Sequence, residues 1–390
     1  MLYTPALHEP LVDLDWDDED VRTRIRASVA LAESAAHPDE LWPADEWDLY
    51  GSTPPLTSLY CGAAGVVWAL DSLRRSGLAD VQLDLVALSR RGLELARERI
   101  DVAEDDTSMP SRPRSGFLVG ETGVVLVAWL LAPDGELADR LHELVVANVR
   151  NETNELMWGA PGTMLVARLM HARTGEGRWL ETWNESARVL RERLEPDGLW
   201  TQDLYGDRLQ FLGPAHGWAG DALALLQGGD DTELVDGVRD VARRTAVVEE
   251  GLANWPPVVA EGLDPRGQGI RVQWCHGSPG IVTSLSTVLD EELLVAGGEL
   301  VWRAGPLGDE KGAGLCHGTS GNGFAFLKLF ERTGDELWLD RARRFALHAL
   351  VQAERLPPRY SLWTGGIGAA LFAARCLDGR ADVPTIDTWE

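Results

Sequence analysis

Two short stretches of the 390-residue chain set sulfur and imidazole beside glycine: Arg271 to Gly280 reads RVQWCHGSPG, and Gly314 to Gly323 reads GLCHGTSGNG. One Cys-His-Gly pattern is therefore used twice, with its cysteines 41 residues apart. A catalytic zinc site needs three soft or borderline protein ligands and one open position, and Cys275, Cys316 and His317 supply two sulfurs and a nitrogen. The fourth position is left for a substrate. In a lone Cys-His-Gly the cysteine would serve as a small buried apolar residue and the histidine as a helix cap, but the duplication points to a metal. Cys61 and Cys376 lie outside the pattern and are expected in the core.

The elements that must position these residues are announced by a repeat. Gly-x-x-Gly followed by an apolar segment such as VVLVAWLLA or FAFLKLF occurs seven times, starting at Gly62, Gly120, Gly159, Gly217, Gly277, Gly318 and Gly365. The spacing of roughly 40 to 60 residues holds two helices and their connections. Segments after each motif are apolar almost all round, as an inner helix should be. Preceding stretches such as LDLVALSRRGLELARERI are amphipathic at helical spacing, as an outer helix should be. The fold class is thus all-α, and the absence of polar caps at the two ends of the array favours a closed α/α toroid over an open solenoid. That toroid would be a double ring of seven helical hairpins with Gly-x-x-Gly turns.

Residues 1–50 are acidic, carry an amphipathic helix over Val21–Ser34, and are read as an N-terminal helix and lead-in packed on the toroid. Residues 51–390 form the single toroid domain. Closure gathers the inner-helix N-termini at one end, where dipoles and free N–H groups would favour anions. Cys275, His276, Cys316, His317 and His216 all fall there.

Composition excludes more than it names. A net charge of -26 with 62 acidic residues argues against a nucleic-acid partner, because phosphate backbones require a basic face. The longest apolar run, Gly123 to Ala132, is far short of the ~18 to 20 residues that span a bilayer, so no membrane is expected. Four cysteines and no charged-then-apolar leader in MLYTPALHEP predict a cytoplasmic, reducing setting.

The ordered set SLYCGAAG, FLVGETG, NELMWGAPG, FLGPAHGWAG, VQWCHGSPG, GLCHGTSGNGFAFLKLF and SLWTGGIGAALFAA resembles the lanthionine synthetase C-like proteins, zinc-bearing α/α toroids of seven hairpins. The resemblance implies one Zn²⁺ per chain on Cys275, Cys316 and His317, an acid/base histidine at His216, and equivalents of the family's Arg and Trp at Arg271 and Trp274. Peptide-cyclising members tend to carry Asp where this chain has Glu155 in NELMWG, and Glu is similar to the stand-alone glutathione-adding branch. Lys311, five residues before Cys316, resembles a glutathione-contacting lysine of that branch. Arg355 matches a second such contact across a loop one residue shorter.

The implied reaction is addition of a thiol, glutathione first, to dehydroalanine or dehydrobutyrine in a peptide or protein, forming a thioether. An ordinary thiol, with a pKa of about 8.5, is mostly protonated at neutral pH, and coordination to zinc removes that proton. Attack at Cβ leaves an enolate, for which Arg271 is the candidate stabiliser, and His216 is the candidate proton donor to Cα. A phosphoserine or phosphothreonine substrate would first need Glu155 or His216 as a base. Two other functions fit the same residues: a lanthipeptide cyclase using a cysteine of its precursor, and a scaffold that binds zinc or thiol without turnover.

Overall fold

A computed structural model describes residues 1–101, 114–204, 206–229, 231–259 and 270–390, and in it α-helices alternate between two layers. The outer layer is α1 (Asp18–Ala35), α3 (Leu85–Glu98), α5 (Gly135–Asn148), α7 (Gly177–Glu192), α9 (Thr232–Thr245), α11 (Glu291–Ala304) and α13 (Glu336–Arg355). The inner layer is α2 (Ala63–Arg75), α4 (Glu121–Leu131), α6 (Ala160–Thr174), α8 (Trp218–Leu226), α10 (Ser278–Leu285), α12 (Thr319–Thr333) and α14 (Gly366–Asp378). The last inner helix packs against the first, so the ring is closed, and α1 covers α14 from outside. This is the α/α toroid that the repeat predicts. No helix among the described residues is long and apolar enough to cross a membrane.

The two layers start their helices differently. Outer helices α1, α3, α5, α9 and α13 begin after an aspartate whose carboxylate accepts a first-turn backbone N–H. Every inner helix begins after a glycine with no side chain to offer. In five of the seven turns the first helical N–H instead donates to the carbonyl seven residues earlier: Ala63 to Leu56, Glu121 to Arg114, Trp218 to Phe211, Thr319 to Gly312 and Gly366 to Arg359. The exposed N–H groups expected at the inner-helix ends are therefore largely spent within the turns. The two exceptions are the third turn, which carries Glu155, and the fifth, which carries Cys275.

The second glycine of every motif is fixed by crowding. A Cβ at Gly65, Gly123, Gly162, Gly220, Gly280, Gly321 or Gly368 would fall far inside contact distance of the carbonyl oxygen six residues earlier. Among the first glycines only Gly277 has a left-handed φ, +107°. The others are extended and are glycine because backbone abuts them.

Neighbouring turns are joined by a belt of backbone hydrogen bonds through the residue two before each first glycine. Tyr60 N donates to Leu118 O (2.9 Å), Leu118 N to Met157 O (3.1 Å), Cys275 N to Cys316 O (3.0 Å), Cys316 N to Trp363 O (2.8 Å) and Trp363 N back to Tyr60 O (3.2 Å). Between the third and fourth turns the bond is shifted by one residue, Leu156 N to Ala215 O at 3.3 Å. Between the fourth and fifth, Gly213 lies so close to the Cys275 carbonyl that a Cβ would not fit. Below the belt the core contains fully buried Trp68, Trp179, Trp200, Trp218, Trp255, Trp274 and Trp363.

Two antiparallel hairpins decorate the fourth and fifth turns: β1 (Gln202–Leu204) with β2 (Asp207–Leu209), and β3 (Val247–Glu249) with β4 (Leu252–Asn254). Asn254 at the end of β4 replaces the missing turn contact of α10, since its Oδ1 accepts from Ser278 N at 2.8 Å.

Candidate metal centre and acid–base site

The belt puts Cys275 and Cys316 side by side, and His317 follows Cys316 into the first glycine of its turn. The ligand atoms of Cys275, Cys316 and His317 all lie within 4.8 Å of one another, and all three residues are buried. Cys275 is held well below the ordinary thiol range, chiefly by a hydrogen bond from the Cys316 thiol. Burial and that same neighbour push Cys316 well up. His317 Nε2 is buried with no hydrogen-bond partner among the described residues. Two converging sulfurs and an unsatisfied imidazole nitrogen are costly to bury unless a cation joins them, and two sulfurs with one nitrogen is a zinc donor set with a fourth position open. The residues fit the metal.

Glu155 explains the exceptional third turn. Its side chain is fully buried; Oε1 accepts from Trp158 N (2.6 Å), Gly159 N (2.9 Å) and Thr153 Oγ1 (3.3 Å), while Oε2 accepts from Met157 N at 2.9 Å. The same Oε2 lies 3.2 Å from His216 Nδ1. Glu155 thus holds the backbone of the turn ahead of α6 and faces His216 at once. A carboxylate on Nδ1 assigns proton exchange to Nε2. The His216 ring stacks on Trp158 at 5.8 Å and lies 6.0 Å from the ring of His276, next to Cys275 in sequence. His216 with its Glu155 carboxylate and the sulfur cluster are therefore neighbours on adjoining turns.

Other expected residues fall into place unevenly. Arg271 is half-buried, and its carbonyl accepts from Asn254 Nδ2 at 3.2 Å. Trp274 is fully buried with its ring 4.6 Å from that of Trp363, which makes it a wall of the ring interior. Lys311 Nζ stands 5.0 Å over the Trp47 ring, and Trp47 packs edge-on against His317 at 4.8 Å. Arg355 is instead taken up by Glu9 and Asp309.

Trp47 and Arg359 were not singled out in the sequence. Both belong to a cap beside His317 built from the lead-in: Asp45 pairs with Arg359, the Arg359 guanidinium lies 5.6 Å over Trp47, and Asp48 accepts from Thr364 and Ser361. Lys311 and Arg359 therefore flank one indole beside His317. Their signal was absent because contacts between residues 45–48 and 359–364 have no local pattern. A cleft of about 390 Å³, bordered by Arg359, Asp45, Gly312, Leu356, Tyr360 and Ile367, opens next to this cap.

A family model described as lanthionine synthetase C-like protein matches residues 43–388. Glutathione S-transferase LANCL1 from Danio rerio is 29% identical over 221 residues, covering 52% of this chain and 52% of that protein. LanC-like protein GCL1 from Arabidopsis thaliana is 32% identical over 158 residues, covering 38% of this chain and 34% of that protein. The matched segments thus span about half or less of those relatives. Among solved structures, nisin cyclase aligns over 92% of this chain and 94% of its own with a TM-score of 0.61 at 14% identity, a likeness of fold.

Proposed function

The chain belongs to the lanthionine synthetase C-like family, and from that premise we propose that it adds a small thiol, glutathione as first choice, across the double bond of a dehydroamino acid in a peptide or protein. The observation that carries the proposal is the juxtaposition of the Cys275–Cys316–His317 cluster with a carboxylate-oriented His216. A zinc ion bound by the three ligands would keep an incoming thiol ionised at neutral pH.

The protein's own groups do the rest. Lys311, over Trp47, offers a cationic site for a carboxylate of a thiol peptide, while Arg359 on the other side is already paired with Asp45. The substrate sulfur forms its bond to Cβ while the π pair moves to Cα and its carbonyl, and Arg271 is placed in sequence to meet that charge. His216, aligned by Glu155, then delivers a proton to Cα, which balances the one lost by the thiol. Removing the α proton of a phosphorylated residue would use the same imidazole, because Glu155 already accepts several hydrogen bonds.

The test is mass spectrometry of a dehydroalanine peptide incubated with the zinc-loaded protein and glutathione. The expected product has the mass of the thioether adduct, formed faster than without enzyme. A Lys311→Ala variant should need more glutathione for the same saturated rate, since it removes binding common to ground and transition states. No adduct above background would refute the proposal, and a product formed only from a cysteine inside the peptide would turn it into a cyclase.

A further inference from the structure

Residues 2–12 run from the approach of one sulfur-bearing turn to the approach of the other. At one end the buried Leu2 offers its carbonyl to Asn254 Nδ2 at 2.8 Å, and Oδ1 of the same Asn254 accepts the first N–H of α10. At the other, residues 7–9 pair with 305–308, ahead of the sixth turn. Glu9 N donates to Pro306 O (2.9 Å), Gly308 N to Leu7 O (3.0 Å), and His8 Nδ1 lies 2.9 Å from Gly305 O. Backbone alone passes this contact inward: Gly308 O accepts from Lys311 N (2.9 Å) and Gly312 N (3.2 Å), and Gly312 O accepts the first N–H of α12, from Thr319, at 3.1 Å. Whatever holds Gly308 therefore holds Lys311 and the start of α12.

Glu9 fastens this segment to α13. His348, Gln352 and Arg355 share one face of that helix and all reach its carboxylate: His348 Nε2 lies 2.6 Å from Glu9 Oε1, Gln352 Nε2 donates to the same oxygen at 3.4 Å, and Arg355 pairs with it. The His348 side chain is only 1% exposed, and its Nδ1 accepts from Val12 N at 3.2 Å. A backbone N–H can only donate, so Nδ1 carries no proton and Nε2 holds the ring's one hydrogen, which it gives to Glu9. A second proton could enter only at Nδ1, where it would set two donors face to face and expel Val12. Burial holds the ring below its ordinary value, with help from the Arg355 charge on α13 and against the pull of Glu9 on the segment and Asp309 beside it.

We propose that residues 2–12 are an acid-releasable strap over the fifth and sixth turns, with Glu9 as its positioning residue and the neutral His348 ring as its latch. Above the ordinary imidazole value of about 6.5 the ring is neutral whether the strap is on or off, and the latch has its full strength. As the pH falls below that value, a freed His348 takes up a proton that the closed strap refuses. The balance then moves toward release by about tenfold per pH unit until the lowered value of the closed form is reached. Release takes the outer support from Gly308, and so from Lys311 and the start of α12. The strap would behave in this way whatever reaction the site performs.

Hydrogen exchange read by mass spectrometry on the full chain, corrected for the intrinsic pH dependence of exchange, follows the strap directly. Between pH 7.5 and pH 5.5 the wild-type segments 7–12 and 305–312 should together lose about tenfold in protection while the belt amides keep theirs. Equal protection at the two pH values would overturn the proposal, and so would a loss spread evenly over the belt. His348→Gln presents one acceptor and one donor without a titrating group, and it should keep both segments protected at pH 5.5. Loss there to the wild-type extent would remove His348 as the latch. Should His348→Gln fail to hold the strap at pH 7.5, Glu9→Ala decides: with the belt amides unchanged, both segments should exchange at pH 7.5 at least as fast as those of the wild type do at pH 5.5, and wild-type protection in that variant would refute the strap.

Discussion

At the scale of single residues, Glu155 and His216 are two parts of one device, and their variants should differ. His216→Ala should retain metal and fold but lose turnover by about 10² to 10⁴, the range that general acid–base catalysis supplies. Equal turnover of wild type and variant on a dehydroalanine peptide would end the assignment. Glu155→Ala should also lower thermal stability, because it strands the buried N–H groups of Met157, Trp158 and Gly159, at about 1–3 kcal/mol for each donor left unsatisfied. Asp221 is a different case. It sits buried on α8 near Glu155, and burial first, then the Glu155 charge, raise its carboxyl well above the usual range. The folded state therefore holds a proton there over a window in which the unfolded chain has released it. Stability is lost as pH rises from the ordinary carboxyl range through that raised value, and the penalty persists at neutral pH. Asp221→Asn should raise the melting temperature at pH 8 and leave it nearly unchanged at pH 4, as read by thermal unfolding at the two pH values.

Among the elements, the turns that carry Glu155 and Cys275 differ from the other five. Five bind their first helical N–H by the same backbone bond; in the fifth turn Asn254 accepts it from Ser278, and in the third Glu155 accepts instead from Met157, Trp158 and Gly159, just ahead of the helix. Gly277, in that fifth turn, combines a φ of +107° with a site where a Cβ would strike the Arg271 carbonyl. Gly277→Ala should thus cost both stability and bound zinc, since the turn that carries Cys275 must move; metal analysis of the purified variant showing a full equivalent would contradict this. The ring and the sulfur ligands were legible because each depends on neighbours in sequence: a Gly-x-x-Gly followed by an apolar segment, and Cys followed by His. Trp47 and Arg359 were not legible, since they come together beside His317 only after the ring closes. The expectation of free helix N–H groups failed for a related reason, since the spacing of the motif did not reveal that the turn's own carbonyls would take them.

For the whole molecule, closure has an energetic meaning. An open array frays from its ends, whereas here each turn is held by two neighbours and the first is tied to the last by Trp363 N to Tyr60 O. Belt amides from Tyr60, Leu118, Cys275, Cys316 and Trp363 should accordingly show similar, near-global protection in native-state hydrogen exchange, and much faster exchange at Tyr60 and Trp363 than at Cys316 would indicate an open ring. The same tie bears on how the protein comes into being. Cys275, Cys316 and His317 leave the ribosome before Trp363, which supplies the carbonyl that anchors Cys316, and Tyr60 waits for its partner from the start of synthesis. A nascent chain therefore displays its thiols before it can shelter them, and the sulfur–imidazole cluster is a property only of the finished circle.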